Sequence, residues 1–247
     1  MFKIIFLLFL LAHIIGDYYL QSCKLADEKA ESIKALIKHC VIYTFSCFIV
    51  VIPVFNSRLL IGCIFLSVTH GVIDLLKFLY MKYHKEITRN KKRNIYILDQ
   101  ALHLMAISTI TYIFTVNEYT ISILPPLKNI TDTIGIPLKQ CFLWMIALLL
   151  IWKPTNITIK KLLFMYKPDD ANENAQENAG GFIGLLERLV MLVLLSISQY
   201  SAIGLVLTAK SIARYDKIST NKAFAEYYLL GTLLSAISVM VVYLVII

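Results

Sequence analysis

The chain has 247 residues, of which 58% are hydrophobic and 16% charged, with a net charge of +8 and a mean hydropathy of +0.71. A soluble domain carries about 45–50% apolar and about 25% charged residues, so this composition excludes an ordinary water-soluble fold. The positive charge reads as the basic loops of a membrane protein rather than a nucleic-acid footprint, and no nucleic acid is expected as a partner.

A spanning helix needs roughly 20 mostly apolar residues. The runs that qualify are 2–20, 35–53, 58–80, 95–116, 138–152, 182–208 and 224–247. The expected fold is therefore an all-α polytopic bundle of about seven transmembrane helices. Residues 1–153 form a front bundle, 154–181 a cytoplasmic amphipathic and flexible loop, and 182–247 a two-helix tail. The first run, "MFKIIFLLFLLA", leads into His13 and Asp17 with no small-residue cleavage site, so it reads as a retained helix rather than a signal peptide. The five cysteines form no C-x-x-C pair, which argues against a thiolate metal site.

Lys and Arg fix the expected orientation. The linker after the first span holds Lys24, Lys29, Lys34 and Lys38, and the one after the third holds Lys82, Lys85, Arg89, Lys91, Lys92 and Arg93. The fifth is followed by Lys153, Lys160, Lys161 and Lys167. These linkers alternate with poorly charged ones, which places them in the cytoplasm and the N-terminus outside. Lys210, Arg214, Lys217 and Lys222 after the sixth span break the alternation, so either that span is interrupted, with Gly204 a candidate breaker, or the fifth is re-entrant.

Polar residues recur inside the first four spans. "HIIGDYYLQ" carries His13, Asp17 and Gln21, "IKHCVIY" carries His39, "THGVIDLLK" carries His70, Asp74 and Lys77, and "LDQALH" carries Asp99, Gln100 and His103. Three times a His and an Asp stand four residues apart, on one face of a helix. In an up-and-down bundle all four places fall at one level, near the cytoplasmic face.

Ionisable groups within a membrane protein face the bundle interior and pair there. As ties between helices, the pairs would be structural. As ligands, imidazole and carboxylate suit Zn²⁺, Mn²⁺ or Fe²⁺. The candidate ligands are His13, Asp17, His39, His70, Asp74, Asp99 and His103, too many for one tetrahedral ion, so one ion with supporting carboxylates or two ions are expected. Such a centre activates water and polarises a phosphoryl or acyl oxygen. Lys77, Gln21 and Gln100 are the candidate catalytic side chains beside it. In the tail, Glu187 and Arg188 open the sixth span on the cytoplasmic side and are candidates for holding an anionic head group.

The motifs H-x3-D-x3-Q (His13, Asp17, Gln21), H-x3-D-x2-K (His70, Asp74, Lys77) and D-Q-x2-H (Asp99, Gln100, His103) resemble an uncharacterised bacterial family of integral membrane proteins, domain of unknown function 3307. The tail stretches "GLLERLVMLVLLSISQYSAIGLVLTAKSIAR" and "AEYYLLGTLLS" are similar as well. The resemblance implies a bacterial inner-membrane protein and brings no activity with it. In style alone, the gathering of His and Asp at helix ends is similar to membrane-bound metal-dependent hydrolases. No G-x-S-x-G, P-loop or H-E-x-x-H motif is present. The expectation is a metal-dependent hydrolase acting on a lipid-linked or phosphate-containing substrate at the cytoplasmic leaflet. Its alternatives are a cation or proton transporter using the same residues, and a structural or signalling subunit whose flexible loop meets a cytoplasmic protein partner.

Overall fold

A helix that is apolar on all sides belongs in the interior of a bundle, and the N-terminal segment behaves so. In the computed structural model, which describes residues 1–54, 56–84, 87–116, 123–135, 137–167 and 176–247, helix α1 (Phe2–Ile14) buries Ile5 and every residue from Leu7 to Ile14. It runs into a π-helical turn, Ile15–Tyr19. A short helix α2 (Cys23–Glu28) follows, opened by Ser22, whose hydroxyl accepts from the Leu25 amide. Helices α3 (Ile33–Val51), α4 (Ser57–Tyr83) and α5 (Arg89–Thr115) come next, the last two capped by Asn56 and Thr88.

Helix α1 packs on α3 and α5, α3 packs on α4, and α4 packs on α5, which closes a four-helix ring. The other faces of α3, α4 and α5 expose Phe45, Phe65, Val68, Leu98, Met105 and Ile113, a surface suited to lipid. Gly16 sets the close approach of α1 to α3. A Cβ there would lie 2.8 Å from the Tyr43 ring and 2.9 Å from Ser46 Oγ.

The chain divides into two compact units, Met1–Cys141 and Phe142–Ile247, where the sequence reading placed the first division near 153. The first also contains the short helix α6 (Pro125–Ile134). Helix α7 (Leu138–Ile151) crosses the division and lies mainly in the second unit, followed by α8 (Lys153–Leu163), α9 (Gln176–Ser196), α10 (Tyr200–Ile212), α11 (Tyr215–Thr220) and α12 (Lys222–Ile246). All regular structure among the described residues is helical.

Among the described residues, six helical stretches are long and apolar enough to cross a membrane: Phe2–Tyr19, Ile33–Val54, Ser57–Tyr83, Arg89–Thr115, Leu138–Leu163 and Lys222–Ile246. The protein is a multi-pass membrane protein. Two expectations need correction. The run 182–208 is two helices, because the chain breaks at Ser198, which takes a positive φ of 58°, and not at Gly204, which stays helical within α10. The segment after 153 begins as helix α8, with Pro154 in the first turn where its missing N–H costs nothing. Residues 168–175 of the expected flexible loop lie outside the described residues.

Candidate metal centre

Each helix of the front ring delivers its polar side chains to one interior point. His13 comes from the end of α1, Asp17 from the π-turn, His39 from the second turn of α3, His70 and Asp74 from the middle of α4, and Asp99 and His103 from α5. All four histidines, with Asp74 and Asp99, are buried. The π-turn is a departure from the plain i,i+4 geometry read in the sequence. Such turns are frequent at functional sites, and this one carries Asp17.

Three atoms close a triangle: His39 Nε2 lies 3.1 Å from His70 Nε2 and 3.3 Å from Asp74 Oδ2, and His70 Nε2 lies 3.6 Å from that same oxygen. Asp17 Oδ1 stands 3.5 and 3.6 Å from the two Nε2 atoms. A tetrahedral ion with ligands at about 2.1 Å keeps its ligand atoms roughly 3.4 Å apart, so these separations fit ligand sharing. Among the described residues, three sets of groups could hold an ion: His13, Asp17 and His70; His39, His70 and Asp74; Asp74, Asp99 and His103. They overlap at His70 and Asp74, so the centre is continuous.

Hydrogen bonding points the same way. Of the twelve buried side-chain polar atoms without a hydrogen-bond partner among the described residues, nine belong to this cluster, counting the Tyr43 hydroxyl. Buried polar atoms without hydrogen bonds are rare and costly. The unbonded nitrogen of His39 and of His70 is Nδ1, across the ring from the Nε2 in the triangle, whereas Asp17 Oδ1, Asp74 Oδ1, Asp99 Oδ1 and His103 Nε2 fit a cation centre. The imidazole of His103 is oriented for it. Its Nδ1–H donates to the Asp99 carbonyl (2.8 Å), which leaves the Nε2 lone pair directed inward. The Tyr43 ring lies flat on His70, with centroids 3.5 Å apart and 7° between planes.

Charge in the cluster is also incomplete. Among the described residues, Asp17, Asp74 and Asp99 face only two ammonium groups. Lys29 donates to Asp74 Oδ2 (2.9 Å) and Lys77 to Asp99 Oδ2 (2.8 Å). With neutral imidazoles one negative charge remains, in an interior where an unpaired charge costs several kcal/mol. Lys29 lies outside the spans. Its burial alone lowers its pKa, but the Asp74 and Asp17 carboxylates outweigh that and hold the ammonium above its ordinary value.

The three candidate catalytic residues flank this centre in different ways. Lys77 is bound to Asp99. Gln100 accepts from Tyr18 (2.8 Å) and donates to Asp99 Oδ2 (3.1 Å), so it orients that carboxylate. Gln21 sits farther out and accepts from Lys29 at 3.4 Å. Lys29 and Tyr43 were missed in the sequence. Tyr43 could have been found, since it follows His39 by four residues and shares its helix face. Lys29 was hidden among the alternating charges of its linker.

Residues 5–130, slightly more than half of the chain, match the family described as Protein of unknown function (DUF3307). The chain belongs to that family. No curated protein and no solved structure matches it. The matched stretch contains every candidate ligand of this DUF3307 member and ends before the second unit, so the likeness read in the tail lies outside it.

In the second unit, Glu187 accepts from Lys210 at 2.6 Å. Arg188 is buried and mends the break between α7 and α8. Its Nε–H donates to the Ile151 carbonyl (2.6 Å), while its two terminal nitrogens reach Asn156 Oδ1 and Ser235 Oγ. Arg188→Met is expected to leave the Ile151 carbonyl and Asn156 Oδ1 without these donors, at about 1–3 kcal/mol for each buried group. Thermal unfolding in detergent checks this, and an unchanged melting temperature would contradict the tie.

Proposed function

We propose that the protein is a metal-dependent hydrolase of the bacterial cytoplasmic membrane, acting on a lipid-linked, phosphate-containing substrate at the cytoplasmic leaflet. The observation that carries the reading is the convergence of four histidines and three aspartates in three overlapping sets that could hold an ion. Mixed imidazole and carboxylate donors suit Zn²⁺, Mn²⁺ or Fe²⁺, whereas an all-oxygen set suits Mg²⁺ or Ca²⁺. Such an ion supplies Lewis acidity and lowers the pKa of a coordinated water.

The side chains of this chain do the rest. Lys77 stands at the edge of the centre, where its ammonium can neutralise phosphoryl oxygens, and Gln100 holds Asp99 in register. Hydrolysis adds hydroxide to phosphorus, breaks the P–O bond to the leaving group and returns a proton to the leaving oxygen. The ends of α4 and α5 beyond the cluster carry Lys82, Arg89, Lys91, Lys92 and Arg93, which favours the cytoplasmic side.

The test is a screen of lipid phosphomonoesters and phosphodiesters with purified protein loaded with each metal. Metal-dependent product release that Asp99→Asn lowers at least tenfold is expected. No turnover by fully loaded protein across the panel would overturn the hydrolase reading.

One observation favours a second reading, cation transport. The three ligand sets overlap in a row from Asp17 to Asp99, so neighbouring positions for an ion are available in sequence. That reading expects metal flux in proteoliposomes and no ester turnover.

A further inference from the structure

Helices α4 and α5 do not close completely over the cluster. Between them lies an open groove of about 440 Å³, within the usual size of a small-molecule site, about 300–1,000 Å³. On α4 it is lined at 73, 76, 77 and 80 and on α5 at 91, 94, 95, 98, 99 and 102, the three-and-four spacing of two facing helix stripes. The short connection between the helices makes them antiparallel neighbours, so the groove is graded along its length. Tyr80, Lys91 and Asn94 line one end, and Ile73 and Leu102 line the other.

Three properties say what fits it. The apolar walls open sideways: Leu76 is 61% and Leu98 59% exposed, on the surface suited to lipid. The polar end is cationic, for Lys91 is exposed and forms no ion pair among the described residues. Midway, the groove reaches Lys77 and Asp99, and Asp99 belongs to the third ligand set with Asp74 and His103. A soluble anion would need only the polar end, and a neutral lipid only the walls.

We infer that the α4–α5 groove is the seat of an anionic, phosphate-bearing lipid, with its headgroup at Lys91 and Lys77 and its chain along Leu76, Leu98 and Leu102. This rests on the proposed function for what happens next, since the groove delivers the phosphate to the Asp99 side of the cluster. The binding itself does not depend on hydrolysis.

The probe is a fluorescent phosphatidic acid, added to the purified full chain in detergent, with metal content measured on the same samples. Saturable binding is expected. Leu98→Trp, which fills the groove, and Lys91→Glu, which reverses its charge, should each weaken it at least tenfold. Met105→Trp, on an exposed part of α5 outside the groove, should leave it unchanged. Neither phosphatidylcholine, with chains but no net charge, nor glycerol 3-phosphate, with the charge but no chain, should displace the probe.

Binding that both groove variants retain would overturn the inference. Displacement by phosphatidylcholine would remove the anionic headgroup from it, and displacement by glycerol 3-phosphate would reduce the site to one for a free phosphate, each contradicting the inference as stated. The two readings fail separately. Normal binding in a protein that takes up no metal would leave the groove standing and the metal reading lost, and metal uptake without groove-dependent binding would do the reverse.

Discussion

Zinc, manganese or iron added at about a hundredfold excess over its dissociation constant is expected to stabilise the protein by about 2.7 kcal/mol, and His70→Ala to abolish that gain. In a chain of this length such a gain raises the melting temperature by roughly 5–10 °C. His70 is the residue to remove because its Nε2 lies 3.1 Å from His39, 3.6 Å from Asp17 and 3.6 Å from Asp74, and because it takes part in two of the three ligand sets. Loss of a group that only supports a ligand already costs about 10–100-fold in metal affinity, so loss of a shared ligand should exceed 100-fold. Thermal shift in detergent, with and without metal, reads the result. A variant that still melts higher on adding metal would remove His70 from the ligand set.

Replacement of Lys29 by methionine should destabilise the metal-free protein and tighten metal binding at the same time. Lys29 is the ammonium that meets Asp74 Oδ2, the oxygen that also faces His39 and His70. Without it, Asp74 is a buried carboxylate lacking a charged partner, a change that costs about 3–5 kcal/mol. A divalent ion then meets one fewer positive charge, and affinity should rise on the order of tenfold, equivalent to about 1.4 kcal/mol. The thermal shift on adding metal should therefore be larger in Lys29→Met than in the natural chain. An equal or smaller shift would mean that Lys29 and the ion do not compete for Asp74. A structural tie predicts the destabilisation but not the rescue by metal.

Much of this centre was legible in the sequence because histidine and aspartate inside apolar helices violate the pattern around them. His13, Asp17, His39, His70, Asp74, Asp99 and His103 stand out for that reason, and the bundle brings all seven together. Side chains that do not violate their surroundings were not legible. Lys29 lies among Lys24, Glu28, Glu31 and Lys34, where one more charge carries no signal. The π-turn at Asp17 leaves the sequence spacing of His13, Asp17 and Gln21 unchanged, so the sequence does not mark it.

The fold shows the same division. The four front helices follow from their apolar runs and caps. The break at Ser198 does not, because the polar stretch from Ser196 to Ser201 is short and flanked by apolar runs, and the backbone turns at a serine rather than at the glycine at 204. The continuation of helix past Trp152 was hidden by the lysines at 153, 160 and 161, which read as the start of a loop. Arg188 looked like a candidate for an anionic head group because nothing in the sequence marks the Ile151 carbonyl that it meets.

The most direct measurement is elemental analysis of the full chain, purified in detergent without a metal-affinity tag, beside the double variant His70→Ala/Asp74→Ala. One to two equivalents of zinc, manganese or iron in the natural chain, lost in the variant, is the expected result. A natural chain that contains no metal and takes none up when it is supplied would contradict a metal centre and leave the seven residues as ties between helices.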